Sequence, residues 1–175
     1  MPDAIYNTKN ILEVSSEAID DLKQKALISN SKRYRLCMHH SNDDPTHEML
    51  IVFYKAGFMP PHRHPIGKSE SYHVVEGEMT VYFFDNNGNI KSCIDLEETR
   101  KGSNKPFLYR LSSNEWHMPV PTSEWLVYHE TFTGPFEKDY DVEFPDWAPI
   151  EGDEIKINDF MNNCNNYYKS KKNNL

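Results

Sequence analysis

The sequence predicts an all-β barrel or sandwich with one helix before it and one after it. Short runs rich in β-branched and aromatic residues recur from Tyr34 to Phe132. Turn-forming clusters separate them, and Asp85-Asn86-Asn87-Gly88-Asn89 is the strongest hairpin signal. Helical periodicity is confined to the two ends of the chain. The division is therefore an N-terminal helical segment packed on the body (1–33), the barrel (34–150), and a C-terminal helical segment and tail (151–175).

Residues 1–14 read as extended. Ser15 or Ser16 then caps a helix whose first turns hold Glu17, Asp20 and Asp21, where carboxylates meet the positive end of the helix dipole. Ala18, Leu22 and Ala26, joined by Ile19 and Leu27, give it an apolar stripe, and Asn30-Ser31 ends it. Strands are expected over 34–39, 48–54, 79–84, 90–96, 106–111, 116–120 and 125–132, with Phe58-Met59 and residues 72–75 in two further runs. Residues 101–105 read as a polar loop. Ile157, Phe160, Met161 and Cys164 recur at helical spacing behind an expected cap at Asn158, and residues 169–175 read as a polar, frayed tail.

Composition narrows the function classes. A chain of 175 residues buries a substantial core. Its formal net charge of −8 and the lack of a long basic block argue against nucleic-acid binding. No apolar run approaches membrane-span length and no secretory signal is expected, so the protein is read as cytoplasmic. Cys37, Cys93 and Cys164 are far apart in sequence and form neither a C-x-x-C pair nor a disulfide framework, as reduced thiols would.

One stretch, residues 57–77, concentrates the chemistry: GFMPPHRHPIGKSESYHVVEG. Positions i and i+2 of extended chain point to the same side, so His62 and His64 can share one space. Glu70 opens the next apolar run. Two imidazoles and a carboxylate suit a borderline divalent metal. The arrangement resembles the first cupin motif, with Gly57, the H-x-H pair, Glu70 and, after six intervening residues, Gly77. It departs from that motif in the middle. Five residues separate His64 from Glu70 where the motif has three or four, so 65–69 reads as a lengthened turn. Gly57 also stands one residue nearer to His62 than is usual.

The second cupin motif is matched by Leu111-Ser112-Ser113-Asn114-Glu115-Trp116-His117, with Ser112 and Asn114 where proline and glycine are usual. Asn114 is expected to take the left-handed turn conformation. The resemblance implies a double-stranded β-helix, or jelly-roll barrel, and a metal set of His62, His64, Glu70 and His117. It implies one divalent transition metal ion per chain, zinc, iron, manganese or nickel. The match extends to the WbuC-type cupin-fold metalloproteins through R-L-C-M-H, D-D-P-x-H-E-M-L, H-E-T-x-T-G-P-F and E-F-P-D-W-A-P. That family implies a bacterial protein of surface-polysaccharide (O-antigen) gene clusters, and cupins are often homodimers.

Tyr72, Arg110 and His129 are candidate pocket-lining residues for substrate, with buried structural roles as the alternative for Arg110 and His129. His73, of opposite strand parity to Glu70, is expected to face outward. His39, His40 and His47 read as structural or exposed. The sequence assigns no catalytic residue. It is compatible with a metal-dependent isomerase or epimerase acting on a small sugar-like or nucleotide-sugar ligand, with an Fe(II) oxygenase, or with a non-catalytic saccharide-binding protein.

Overall fold

The computed structural model describes residues 3–99 and 104–173. Its elements in order are β1 (Ala4–Tyr6), α1 (Ser16–Ile28), β2 (Arg33–Cys37), β3 (Thr46–Tyr54), β4 (Glu70–Glu76), β5 (Glu78–Phe84), β6 (Ile90–Glu97), β7 (Leu108–Leu111), β8 (Trp116–Pro121), β9 (Trp125–Thr133), α2 (Lys138–Asp141) and α3 (Glu154–Lys172). Six strands form one sheet in the order β1-β2-β3-β9-β4-β7, and three form a second in the order β6-β5-β8. All pairings are antiparallel except β1 on β2. Part of the loop expected at 101–105, residues 101–103, lies outside the described residues, as do 174 and 175 of the expected tail.

The apolar run of β3 does not alternate because both of its faces are buried. Ile51 and Phe53 face inward, packing with Tyr72, Val74, Leu126 and Tyr128 of their own sheet and Met79, Val81 and Leu96 of the other. Leu50 and Val52 face outward beneath Leu22 and Ala26 of α1. Each such side chain contributes about 1.5–3 kcal/mol by leaving water. The small sheet repeats the arrangement. Tyr82, Phe84 and Cys93 on its outer face pack against Phe160, Met161 and Cys164 of α3. Two facing sheets, each backed by one terminal helix, make the barrel.

Ser15 caps α1, its Oγ accepting from the Ala18 N–H at 3.3 Å. Gly77 joins β4 to β5 at φ +83°, and a Cβ there would lie 2.1 Å from the Trp125 carbonyl oxygen, so only glycine fits. His73 faces outward against the Phe107 ring.

The C-terminal helix is longer than expected. It is capped by Asp153 instead of Asn158 and runs 19 residues to Lys172, through most of the stretch read as a frayed tail. Tyr167 and Tyr168 continue the apolar stripe past Cys164. The Tyr168 hydroxyl donates to Asp95 at 2.8 Å, and Lys171 Nζ donates to the Cys93 carbonyl at 2.5 Å. The N-terminal strand β1 pairs in parallel at the edge of its own chain's sheet.

Candidate metal centre

His62, His64, Glu70 and His117 come together at one end of the barrel, all buried, with one donor atom from each lying within 4.8 Å of the others. Glu70 is the first residue of β4, and its inward face is set by the same alternation that buries Tyr72 and Val74. His117 lies on β8. The H-x-H segment is extended but belongs to none of the strands β1–β9. His62 forms a single antiparallel bridge to His117, with N–H···O bonds of 3.0 and 2.8 Å in the two directions. Arg63 forms a second bridge to Glu143, and its guanidinium meets that carboxylate at 2.7 and 2.8 Å. These two bridges hold the backbone extended, so both histidines still point inward.

Each imidazole places its Nδ1 against a main-chain carbonyl: His62 on Pro60 at 3.0 Å, His64 on Asp141 at 2.6 Å, and His117 on Glu115 at 3.0 Å. A carbonyl only accepts, so Nδ1 carries the proton and Nε2 presents a lone pair to the centre. His64 Nε2 lies 3.3 Å and His117 Nε2 2.9 Å from Glu70 oxygens, but without hydrogen-bond geometry. Buried acceptors aimed at one another require a proton or a cation between them. Three imidazole nitrogens and one carboxylate are a donor set that fits a divalent transition metal. The Tyr109 hydroxyl, which sequence reasoning missed, donates to Glu70 Oε1 at 3.0 Å and orients it.

The electrostatics follow from this packing. Burial, reinforced by the neighbouring His117 and His64, holds His62 well below the usual imidazole range. At His64 burial opposes the charge, but the Glu70 carboxylate outweighs it and the pKa is raised. Glu70 is opposed by burial too, yet His117 and His64 hold it well below the usual carboxylate range. A metal ion would meet an ionised Glu70 and a neutral His62, and at His64 it would compete with a proton that Glu70 helps to hold.

The lengthened turn at 65–69 supports the site from behind. Lys68 reaches the Thr133 carbonyl at 3.2 Å, the Pro135 carbonyl, and the buried Asp141 carboxylate at 3.3 Å. Asp141 also accepts from the Glu137 N–H at 2.8 Å, and its carbonyl is the one that holds His64. Lys68→Met is expected to lower the unfolding free energy by about 3 kcal/mol, because it leaves the Asp141 charge buried without its cation. Adding Asp141→Asn should restore most of the loss in chemical denaturation. An unchanged midpoint in the single variant would show that the pair is idle. Asn114 departs from expectation: Lys32 is the one described non-glycine residue at positive φ. The Asn114 amide instead donates to the His64 carbonyl.

A cavity of about 310 Å³ opens beside the centre, with His62 and His64 at one end and Arg33, Arg35, Tyr72 and Glu130 among its walls. Of the sequence candidates for substrate, Tyr72 lines this cavity. Arg110 lies on the opposite face of β7 from Tyr109 and donates to Ser69 Oγ at 2.8 Å. His129 lies on the opposite face of β9 from Glu130 and Phe132, 3.7 Å from Glu48. Neither Arg110 nor His129 is part of the cavity wall. Glu130, the immediate neighbour of His129 in sequence, is the wall residue. Burial and the charge of Glu70 push its carboxyl pKa up to about 7.

Residues 14–96 match a family described as a domain of unknown function (DUF6016). A search of the curated proteins finds no match. Among solved structures, protein SO0799 from Shewanella oneidensis superposes with a TM-score of 0.56 at 10% identity, over 71% of this chain and 82% of that one. L-ribose isomerase from Cellulomonas parahominis gives 0.50 at 16% identity, over 64% and 69%. The cupin domain of Schizosaccharomyces pombe Cnp3 gives 0.44 at 5% identity, over 59% and 65%. The two-sheet barrel fold is shared with SO0799 and the L-ribose isomerase, and here it encloses a buried group able to hold a metal ion.

Proposed function

We propose that this protein is a metal-dependent cupin of the WbuC type that isomerises or epimerises a small sugar-like molecule, free or nucleotide-linked, in bacterial surface-polysaccharide biosynthesis. The proposal includes a cytoplasmic setting and His62, His64, Glu70 and His117 as the ligands of one ion. The observation that carries it is the convergence of three imidazoles and the Glu70 carboxylate beside a cavity large enough for a sugar. Bound there, a divalent ion supplies Lewis acidity toward a carbonyl or vicinal diol.

Glu130 is the residue placed to move the proton. Its carboxylate takes the proton from the carbon beside the carbonyl and returns it to the neighbouring carbon on the same face, while the hydroxyl proton passes to the former carbonyl oxygen, so no further reactant is needed. A base with a pKa close to the working pH suits this task. The Tyr109 hydroxyl keeps Glu70 oriented during turnover, since burial and Glu70 hold its pKa well above the usual phenol range. An aldose isomerase on the same fold, the L-ribose isomerase above, is in keeping with this chemistry.

The test is hydrogen–deuterium exchange at the carbon beside the carbonyl across a panel of free and nucleotide-linked sugars. Metal-dependent exchange is expected. Saccharide binding without exchange in fully loaded protein would make it a binding protein. Exchange that survives metal removal would make the ion structural.

A further inference from the structure

We propose that the end of the cavity away from the metal centre is a subsite for a terminal oxyanion, a carboxylate or a phosphate ester, on a small polyhydroxylated molecule, and that Arg33 and Arg35 hold it. This deepens the sugar-isomerase reading and rests on it for the rest of the molecule.

Arg33 and Arg35 stand at i and i+2 on β2 and share one face. Their partners on β3 are Phe53 and Ile51, both of which face the barrel interior. Two cations are thus set on an inward, apolar row of the wall. Among the described residues neither guanidinium makes a hydrogen bond or a salt bridge. Arg33 lies with its Cζ 5.4 Å over the Phe53 ring, and its Nη1 is shielded from water without an acceptor. The Tyr128 hydroxyl, in register with Ile51, is likewise buried without a partner. A shielded guanidinium donor without an acceptor is unfavourable, and its fork geometry matches an oxyanion. Glu130, on the same inward face of β9, is the wall carboxylate nearest in register and lies between this end and the metal centre.

Register gives the span. Tyr128 lies four residues from Phe132, whose ring touches His64, so the two ends are about 13 Å apart along β9 at ~3.3 Å per residue. The arginine side chains cover part of this distance, leaving a gap that suits a short carbon chain with its carbonyl at the ion. Volume agrees: about 310 Å³ is roughly ten waters' worth of space, enough for a sugar acid or sugar phosphate. The base and diphosphate of a nucleotide sugar would lie outside it. A small sugar acid or sugar phosphate is therefore favoured over the nucleotide-linked form.

The experiment is isothermal titration of the metal-loaded protein with D-glucose, D-glucuronate, D-glucose 6-phosphate and UDP-glucose, repeated with Arg35→Met and Arg33→Lys. Metal content is measured on every sample. Glucuronate or the phosphate should bind at least about 10-fold more tightly than glucose, and the acid–phosphate comparison identifies the oxyanion. Arg35→Met, at an exposed position, should remove that preference while leaving metal content unchanged. Arg33→Lys keeps the charge but loses the fork, and should weaken the anion less. Equal binding of acid and neutral sugar, an anion preference that survives both substitutions, or no binding by any of the four overturns the subsite. Anion preference without exchange chemistry would leave the subsite standing and remove the isomerase reading. Exchange on neutral sugars without anion preference would do the reverse.

Discussion

Glu70→Gln is expected to lower metal affinity by at least about 100-fold while leaving the barrel folded. The substitution preserves size and leaves an acceptor for the Tyr109 hydroxyl. It removes the one negative charge in a donor set of three neutral imidazoles, and that charge balances the cation. A consequence for pH accompanies it. In the metal-free wild type the Glu70 carboxylate raises the pKa of His64, so protons compete with the metal until the pH exceeds the ordinary imidazole value. Metal binding should therefore release protons, and affinity should rise with pH through the imidazole range and above it. Without the carboxylate the proton on His64 is no longer stabilised, so the variant should release fewer protons at the same pH. Chelator competition measures the affinity, and calorimetry in buffers of different ionisation enthalpy counts the protons. Unchanged affinity would mean that Glu70 is not a ligand.

Glu130→Gln is expected to reduce proton exchange by about 100-fold or more, with metal content intact. The amide keeps the shape of the cavity wall but cannot accept the proton. The same substitution has a stability effect of opposite sign. The folded-state pKa of Glu130, about 7, lies above the usual carboxylate value. Between that value and pH 7 the folded chain holds a proton that the unfolded chain has lost, so stability falls as the pH rises through this window. Below the window the penalty is absent, and above pH 7 it is complete. The metal-free glutamine variant should therefore be more stable than metal-free wild type at pH 8, by an amount on the order of 2–3 kcal/mol, and the two should converge at low pH. Thermal unfolding at both pH values checks this. Lost exchange without any gain in stability at pH 8 would show that the carboxylate is not buried in its charged form.

Much of the barrel was legible because turns and short apolar runs are local signals. The donor cluster was legible through spacing: His62 and His64 are two apart, and Glu70 starts a strand that returns to the same end. The cavity wall was harder to read. β9 is buried on both faces over Leu126, Val127 and Tyr128, so its sequence lacks the alternation that would say whether His129 or Glu130 points inward. The strand β7 is only four residues long, too short a run to show which face is inward, and Arg110 was singled out although Tyr109 is the residue that meets Glu70. The length of α3 was missed because its asparagine-rich surface dilutes the stripe that Tyr167 and Tyr168 complete. Asp141 could not be read from sequence at all. It acts through its main-chain carbonyl from a short helix distant in sequence, and no side-chain pattern announces a carbonyl.

The central claim is that these four side chains hold one ion. Elemental analysis of the wild type, purified without added metal or chelator, beside His62→Ala/His64→Ala tests it most directly. The expected result is close to one transition metal ion per chain in the wild type and almost none in the double variant, with both proteins folded by circular dichroism. Equal metal content in the two would contradict it.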